Sequence, residues 1–147
     1  GELALGEVFL FQAALGERPG KARWARASDH KPGWHKIAPE HCATKFVAGE
    51  VDVTTIDLCV PSDADVHFLA LDVEGYELPA LMGAEKTIAR CWPVVLFEDL
   101  GRSGSASFRR KSGVGYGYNA GSVQAWLTEH GYQRVAEVKN DEVWAPE

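Results

Sequence analysis

The sequence predicts an α/β fold, and three features carry that prediction. Residues 68–71 and 94–97 are short apolar runs, and each is followed by acidic residues. The segment between them has apolar residues at the three- and four-residue spacing of an amphipathic helix. Strand, helix and strand in this order form a β-α-β unit with parallel strands. We therefore expect an open sheet with ligand-binding groups beyond the carboxyl ends of its strands.

Composition limits the domain count and the classes of partner. The 147 residues are 46% hydrophobic, which suffices for a single domain spanning residues 1–147. The net charge of −6 argues against nucleic-acid partners, which are usually met by a basic face. No apolar run is long enough to span a bilayer, and no export signal is recognisable, so we expect no membrane association. The three cysteines form no Cys-x-x-Cys pair, which predicts no metal site and fits a cytoplasmic protein.

The amino-terminal region is predicted to form a hairpin. Residues 8–15 are mostly apolar, and residues 16–20 are rich in turn formers. Residues 21–24 then alternate, which predicts a second strand with Ala22 and Trp24 facing inward.

A long irregular segment and a strand are expected next. Residues 28–50 show no clean period and predict a loop, with one short helix near residues 39–45. The histidines in this segment do not have the spacing of a standard metal site. Residues 51–58 alternate well enough to predict a strand.

The β-α-β unit has clear boundary signals. Residues 68–71 are apolar throughout, so we expect this strand to be covered on both faces. One helix is predicted over residues 78–90, with Pro79 in its first turn. The Trp92-Pro93 pair ends the helix, because proline disfavours helical geometry in the residue before it. The residues expected to face inward are Leu78, Leu81, Met82, Ile88 and Ala89.

The carboxyl-terminal region is predicted to contain a helix and a hairpin. A polar, glycine-rich stretch covers residues 100–121. Ser122 is expected to cap a helix that ends at Gly131. Residues 132–138 and 142–145 then form an antiparallel hairpin.

Three short motifs resemble a known family. Residues 72–77 read Asp-Val-Glu-Gly-Tyr-Glu, residues 81–84 read Leu-Met-Gly-Ala, and residues 93–98 read Pro-Val-Val-Leu-Phe-Glu. Their order and spacing resemble the core signature of the FkbM family of S-adenosylmethionine-dependent methyltransferases. The resemblance implies a Rossmann-like sheet of strand order 3-2-1-4-5-7-6. It also implies S-adenosylmethionine as cofactor, and methyl transfer to a hydroxyl of a sugar, a polyketide or another small metabolite.

The family's cofactor-binding half has no counterpart in the sequence. Residues 1–67 lack the strand, the glycine-rich turn Asp-x-Gly-Ala-x-x-Gly and the second strand. Without that turn the backbone cannot approach the cofactor closely. We therefore predict a truncated methyltransferase-like domain whose partial Rossmann-like sheet lacks the first two strands and ends in an antiparallel hairpin. The isolated chain is expected to bind cofactor weakly or not at all and to be inactive, and no cofactor-binding residue is assigned.

Three acids at the predicted strand ends are the candidate catalytic residues. Asp72 and Glu74 follow the first strand of the unit, and Glu98 ends the second. A carboxylate can accept the proton that a methylated hydroxyl loses. Asp72 and Glu74 are two residues apart, so an extended backbone would direct both to one side. The alternative is that such acids cap the following helix, which is the main expectation for Glu77.

Acceptor-binding residues are expected on the first loop and in the glycine-rich stretch. Residues 113–121 are better explained as a lid than as a phosphate loop, since they do not directly follow a strand. Aromatic and basic side chains would contact the acceptor there. The candidate substrate-binding residues are Tyr76, Arg109, Arg110, Tyr116 and Tyr118.

The missing strands also lead to an expectation about partners. Two absent strands would leave a gap of roughly 14 Å beside residues 68–71, with open backbone groups and apolar side chains. Either the amino-terminal hairpin fills this gap or a second copy covers it, and a homodimer is expected. The alternative to an enzyme is a non-catalytic remnant that associates with itself or binds a small molecule or another partner.

Overall fold

The computed structural model describes residues 6–26, 35–38, 47–99 and 121–147. These residues form a mixed α/β fold, as expected, with two four-stranded sheets and four short helices. No helix in these ranges has the length and apolar character needed to cross a membrane. The strands are β1 (Ala14–Leu15), β2 (Gly20–Arg26), β3 (His35–Ala38), β4 (Val47–Thr54), β5 (Phe68–Leu71), β6 (Val94–Glu98), β7 (Tyr132–Val138) and β8 (Asp141–Pro146), and the helices are α1 (Ile56–Cys59), α2 (Glu77–Met82), α3 (Glu85–Cys91) and α4 (Ser122–Glu129).

The first sheet has the order β1-β4-β2-β3 and corrects the predicted amino-terminal hairpin. β4 lies between β1 and β2, running parallel to β1 and antiparallel to β2. Local alternation identified both strands, but it could not show that a strand from later in the chain separates them. Ala25 of β2 is buried, whereas Ala22 and Trp24 are only half-buried. A register shift between Trp24 and Ala25 interrupts the alternation of this strand.

The irregular segment contains more structure than expected. β3 pairs with β2, and β4 begins at Val47 and ends at Thr54. The strand predicted over residues 51–58 is therefore wrong in its second half, where α1 forms. Thr55 ends the strand because its side chain accepts a hydrogen bond from the Leu58 N–H at 3.2 Å and so caps α1. The short helix predicted near residues 39–45 lies outside the described residues.

The second sheet has the order β5-β6-β8-β7. β5 and β6 are parallel, with Phe68 opposite Val94. β8 is antiparallel to β6 and to β7. The parallel β-α-β unit and the closing hairpin are therefore confirmed, and the carboxyl ends of β5 and β6 lie side by side.

The expected single helix is interrupted. α2 ends at Met82 and α3 begins at Glu85, with Gly83 and Ala84 between them. The Gly83 carbonyl accepts a hydrogen bond from the Asp57 N–H at 2.9 Å, so α1 docks at the break. Pro79 does lie in the first turn, and Trp92 ends α3 with φ of 49°. Ala89 is exposed rather than inward-facing.

α4 begins one residue earlier than its predicted cap requires. Ser122 is the first helical residue, and the capping position belongs to Gly121, which has φ of 84°. Since Gly121 has no side chain, the capping position supplies no side-chain hydrogen bond to this helix. Leu127 is fully buried, and Val123 and Trp126 pack against the core.

The main core lies between the second sheet and its helices. Leu15 and Ile56 also pack there, which joins the end of the first sheet to this core. The largest fully buried side chains are Tyr132, Phe97, Leu81, Ile88, Leu127, Val95, Pro79 and Pro93.

β5 differs from the prediction of burial on both faces. Leu71 is buried, but Phe68 is 55% exposed and Ala70 is also exposed. β5 is an edge strand whose only strand partner in the described ranges is β6. One face and one edge therefore have no cover from the described residues.

Candidate functional site

The three predicted catalytic acids lie together at the carboxyl ends of β5 and β6. Asp72 directly follows β5, and Glu98 is the last residue of β6. Partial burial raises the pKa of Glu98, and the charges of Asp72, Glu74 and Asp141 raise this pKa further. Asp141, which pairs with Glu98 across β6 and β8, is a fourth acid that the sequence did not single out. We call these four residues the carboxylate cluster.

The backbone after β5 turns instead of continuing in extended form. Glu74 has φ of 55° and Gly75 has φ of 94°. Glycine adopts this left-handed region freely, whereas for Glu74 it costs about 1–2 kcal/mol. The expectation that an extended backbone directs Asp72 and Glu74 to one side is therefore wrong. The turn nevertheless keeps both close enough to act on Glu98.

Glu77 stabilises this turn through hydrogen bonds with its backbone. Its side chain is 5% exposed, and Oε1 accepts hydrogen bonds from the N–H groups of Val73 at 3.3 Å and Gly75 at 3.1 Å. Burial raises the pKa of the Glu77 carboxyl. The Tyr76 side chain does not cap α2, and Glu77 in the first turn fixes the loop that carries Asp72 and Glu74. Its place in the first helical turn, two residues after a glycine, is the sequence signal for this role.

A second polar network supports the end of β6. Gln124 Nε2 donates to Asp99 Oδ2 at 3.0 Å and, more weakly, to Glu142 Oε2 at 3.4 Å. Glu142 is 2% exposed, and it accepts hydrogen bonds from Trp144 Nε1 at 2.9 Å and from Arg134 at 3.2 Å. The network ties α4 and the closing hairpin to the residue after Glu98. This network was not predicted from the sequence. Its one sequence signal is an acid on the same face of β8 as a tryptophan.

Of the five predicted acceptor-binding residues, Tyr76 lies in the part of the chain that the structure describes. Tyr76 immediately precedes α2 and is half-buried, with its ring close to Gly16 after β1. It lies on the loop that carries Asp72 and Glu74. The remaining four candidates, Arg109, Arg110, Tyr116 and Tyr118, lie outside the described residues.

The turn after β5 lacks the free backbone donors of a nucleotide-binding turn. In this turn, Gly75 has a positive φ and lies between a strand and the following helix. A nucleotide-binding turn uses such backbone N–H groups for the ligand. Here the N–H groups of Val73 and Gly75 already bind Glu77. Nor do the described ranges contain three grouped side chains that could hold a metal ion.

Comparison with known families identifies one match. The model described as the methyltransferase FkbM domain matches residues 5–134, which is well over half of the 147-residue chain. The matched range contains Asp72, Glu74 and Glu98. No curated protein and no solved structure is significantly similar to the chain.

Proposed function

Since the chain belongs to the FkbM methyltransferase domain family, we propose that it is methyltransferase-like and forms the acceptor side of the site. The acceptor would be a hydroxyl group of a sugar or another small metabolite. The observation that carries this proposal is the position of Glu98 at a parallel strand end, with its pKa raised by burial and three neighbouring acids. Open α/β sheets bind their ligands at such strand ends.

We further propose that the second sheet corresponds to the later part of a Rossmann-like sheet. The family's strands 4, 5, 7 and 6 would be β5, β6, β8 and β7. The observed order, with one parallel pair followed by two antiparallel pairs, supports this correspondence. The carboxylate cluster then faces the same edge as the family's catalytic centre.

In this proposal Glu98 accepts the proton of the acceptor hydroxyl. A carboxylate whose pKa is raised is a stronger base than an ordinary one. Asp72 and Glu74 would accept hydrogen bonds from neighbouring hydroxyls and orient the acceptor. Glu77 and Gln124 would act as positioning residues, since each fixes the backbone beside a member of the cluster. In the family S-adenosylmethionine supplies the methyl group, and the proposal concerns the acceptor alone.

The test is binding of hydroxylated small molecules to the whole chain, measured by saturation-transfer NMR with a panel of sugars. We expect binding that weakens at least tenfold in Glu98→Gln, because an amide cannot replace a carboxylate acceptor between hydroxyls. The matched control is Glu129→Gln, an exposed acid on α4 outside the carboxylate cluster. This control should bind as the wild type does. Equal binding by Glu98→Gln and wild type, or no binding by the wild type, would contradict the proposal.

The second candidate function is a self-associating module without catalysis. The specific observation in its favour is the edge of β5 that no described strand pairs with, together with the exposed apolar residues 8–11. The two candidates make different predictions, since self-association requires neither Glu98 nor a small-molecule acceptor.

A further inference from the structure

The free edge of β5 presents specific backbone groups. The Val94 N–H donates to the His67 carbonyl at 2.9 Å. In a parallel pair alternate residues face the partner strand, so Leu69 and Leu71 continue the bonding to β6. The N–H and C=O groups of Phe68 and Ala70 therefore point to the free edge. No strand in the described ranges pairs with them.

A strand-like segment without a sheet occurs in the same chain. Residues 8–11 read Val-Phe-Leu-Phe and belong to no helix or strand. Their exposed fractions run from 59% at Phe11 to 92% at Leu10. Such a run of exposed apolar residues is unusual on a soluble monomer and marks an interaction site. Its length equals that of β5.

We propose that residues 8–11 of one chain add to the free edge of β5 in a second copy, and that the exchange is reciprocal. Among the described residues each chain has both a strand-like segment and a sheet edge without a strand partner, so two copies can satisfy each other through a two-fold axis. Neither element contains a charged residue, so pairing brings no charge onto the contact despite the net charge of −6 on each chain.

The flanking charges favour a parallel arrangement of the exchanged strand. Glu7 precedes the segment, and β5 has His67 before it and Asp72 after it. A parallel strand places Glu7 beside His67, whereas an antiparallel strand places Glu7 beside Asp72. Opposing like charges across neighbouring strands destabilise the pairing. The parallel arrangement also continues the direction of β6.

Light scattering during gel filtration tests the proposal on the whole chain at micromolar concentration. We expect twice the monomer mass of 16.1 kDa. Leu10→Glu should be monomeric, because it places a charge in the exchanged strand. Ala70→Pro should also be monomeric, because proline removes a free-edge N–H without touching the bonds to β6. The matched control is Leu58→Glu, an exposed apolar residue on α1 that should leave the dimer intact.

Mixing the two variants distinguishes strand exchange from a general apolar contact. Leu10→Glu keeps an intact edge, and Ala70→Pro keeps an intact strand. The mixture is expected to form a heterodimer although each variant alone is monomeric. If Ala70→Pro fails to give a wild-type circular dichroism spectrum, Ala70→Lys serves instead, since Ala70 is exposed. A monomeric wild type, a dimer resistant to both variants, or a mixture that stays monomeric would each overturn the proposal.

Discussion

A Gly83→Ala variant is expected to lose about 2–3 kcal/mol of unfolding free energy, as overpacked cores do. A Cβ at this position would overlap the carbonyl oxygen of Gly16 and lie 3.1 Å from the Thr55 Cβ. The obstacle is backbone, which cannot rotate away as a flexible side chain could. Urea unfolding followed by circular dichroism measures the loss.

Gly20→Ala is the matched control for this substitution. A Cβ on Gly20 would meet no atom within 4 Å, so its effect should stay within about 0.5 kcal/mol. If both variants unfold at the same urea concentration, close packing at the break between α2 and α3 is not the reason for glycine at position 83.

Asp57→Ala is expected to destabilise the protein by about 2–3 kcal/mol, the scale of a lost helix cap with charge-assisted bonds. The Asp57 carboxylate accepts hydrogen bonds from the Lys86 N–H at 3.0 Å, the Thr87 N–H at 2.8 Å and the Thr87 hydroxyl at 2.7 Å. It therefore caps α3 from a different helix. Removing it also leaves the Thr87 hydroxyl without its acceptor in a buried position.

Two further variants separate the cap from a general charge effect. Asp57→Asn keeps one acceptor oxygen and should lose roughly half as much stability. Asp63→Ala removes an exposed acid from a turn and should change little. Thermal unfolding in which Asp57→Ala and Asp63→Ala behave alike would refute the capping role.

Parts of the fold that depend on nearby residues could be predicted from the sequence. The two parallel strands follow from their apolar runs, and the helix end at Trp92 follows from the proline after it. The closing hairpin follows from two alternating runs around Asn140 and Asp141, although the turn itself lies one residue earlier, at residues 139–140. In each case the signal lies within a few residues of the feature it specifies.

Features fixed by distant contacts could not be predicted in the same way. β4 separates β1 from β2, although it lies much later in the chain. The break between α2 and α3 depends on Gly16 and Asp57, and the Asp57 contact spans 30 residues. The apolar side chains of β5 predict a central strand. Apolarity does not reveal which neighbouring strands are present.

In the candidate site, too, the residues with a local sequence signal could be predicted and those held by distant contacts could not. Asp72, Glu74 and Glu98 were predicted because acids follow apolar strands, and parallel strands end at a common edge. The supporting contacts of Glu77, Gln124 and Glu142 arise from the turn and from the packing of α4 on the hairpin. The local signals, a glycine two residues before Glu77 and a tryptophan two residues after Glu142, do not by themselves specify which groups these side chains contact.

We propose that this chain carries the acceptor side of the site but lacks the cofactor-binding residues. Calorimetry with S-adenosylmethionine and S-adenosylhomocysteine measures cofactor binding directly. We expect no saturable heat with either ligand, because residues 1–67 lack the family's glycine-rich turn and the N–H groups of the turn after β5 already bind Glu77. Thermal unfolding in the same solutions should show no shift, whereas ligand at a hundred times its dissociation constant would stabilise the fold by about 2.7 kcal/mol. Saturable binding of either molecule, with a matching rise in melting temperature, would show that the chain does bind the cofactor.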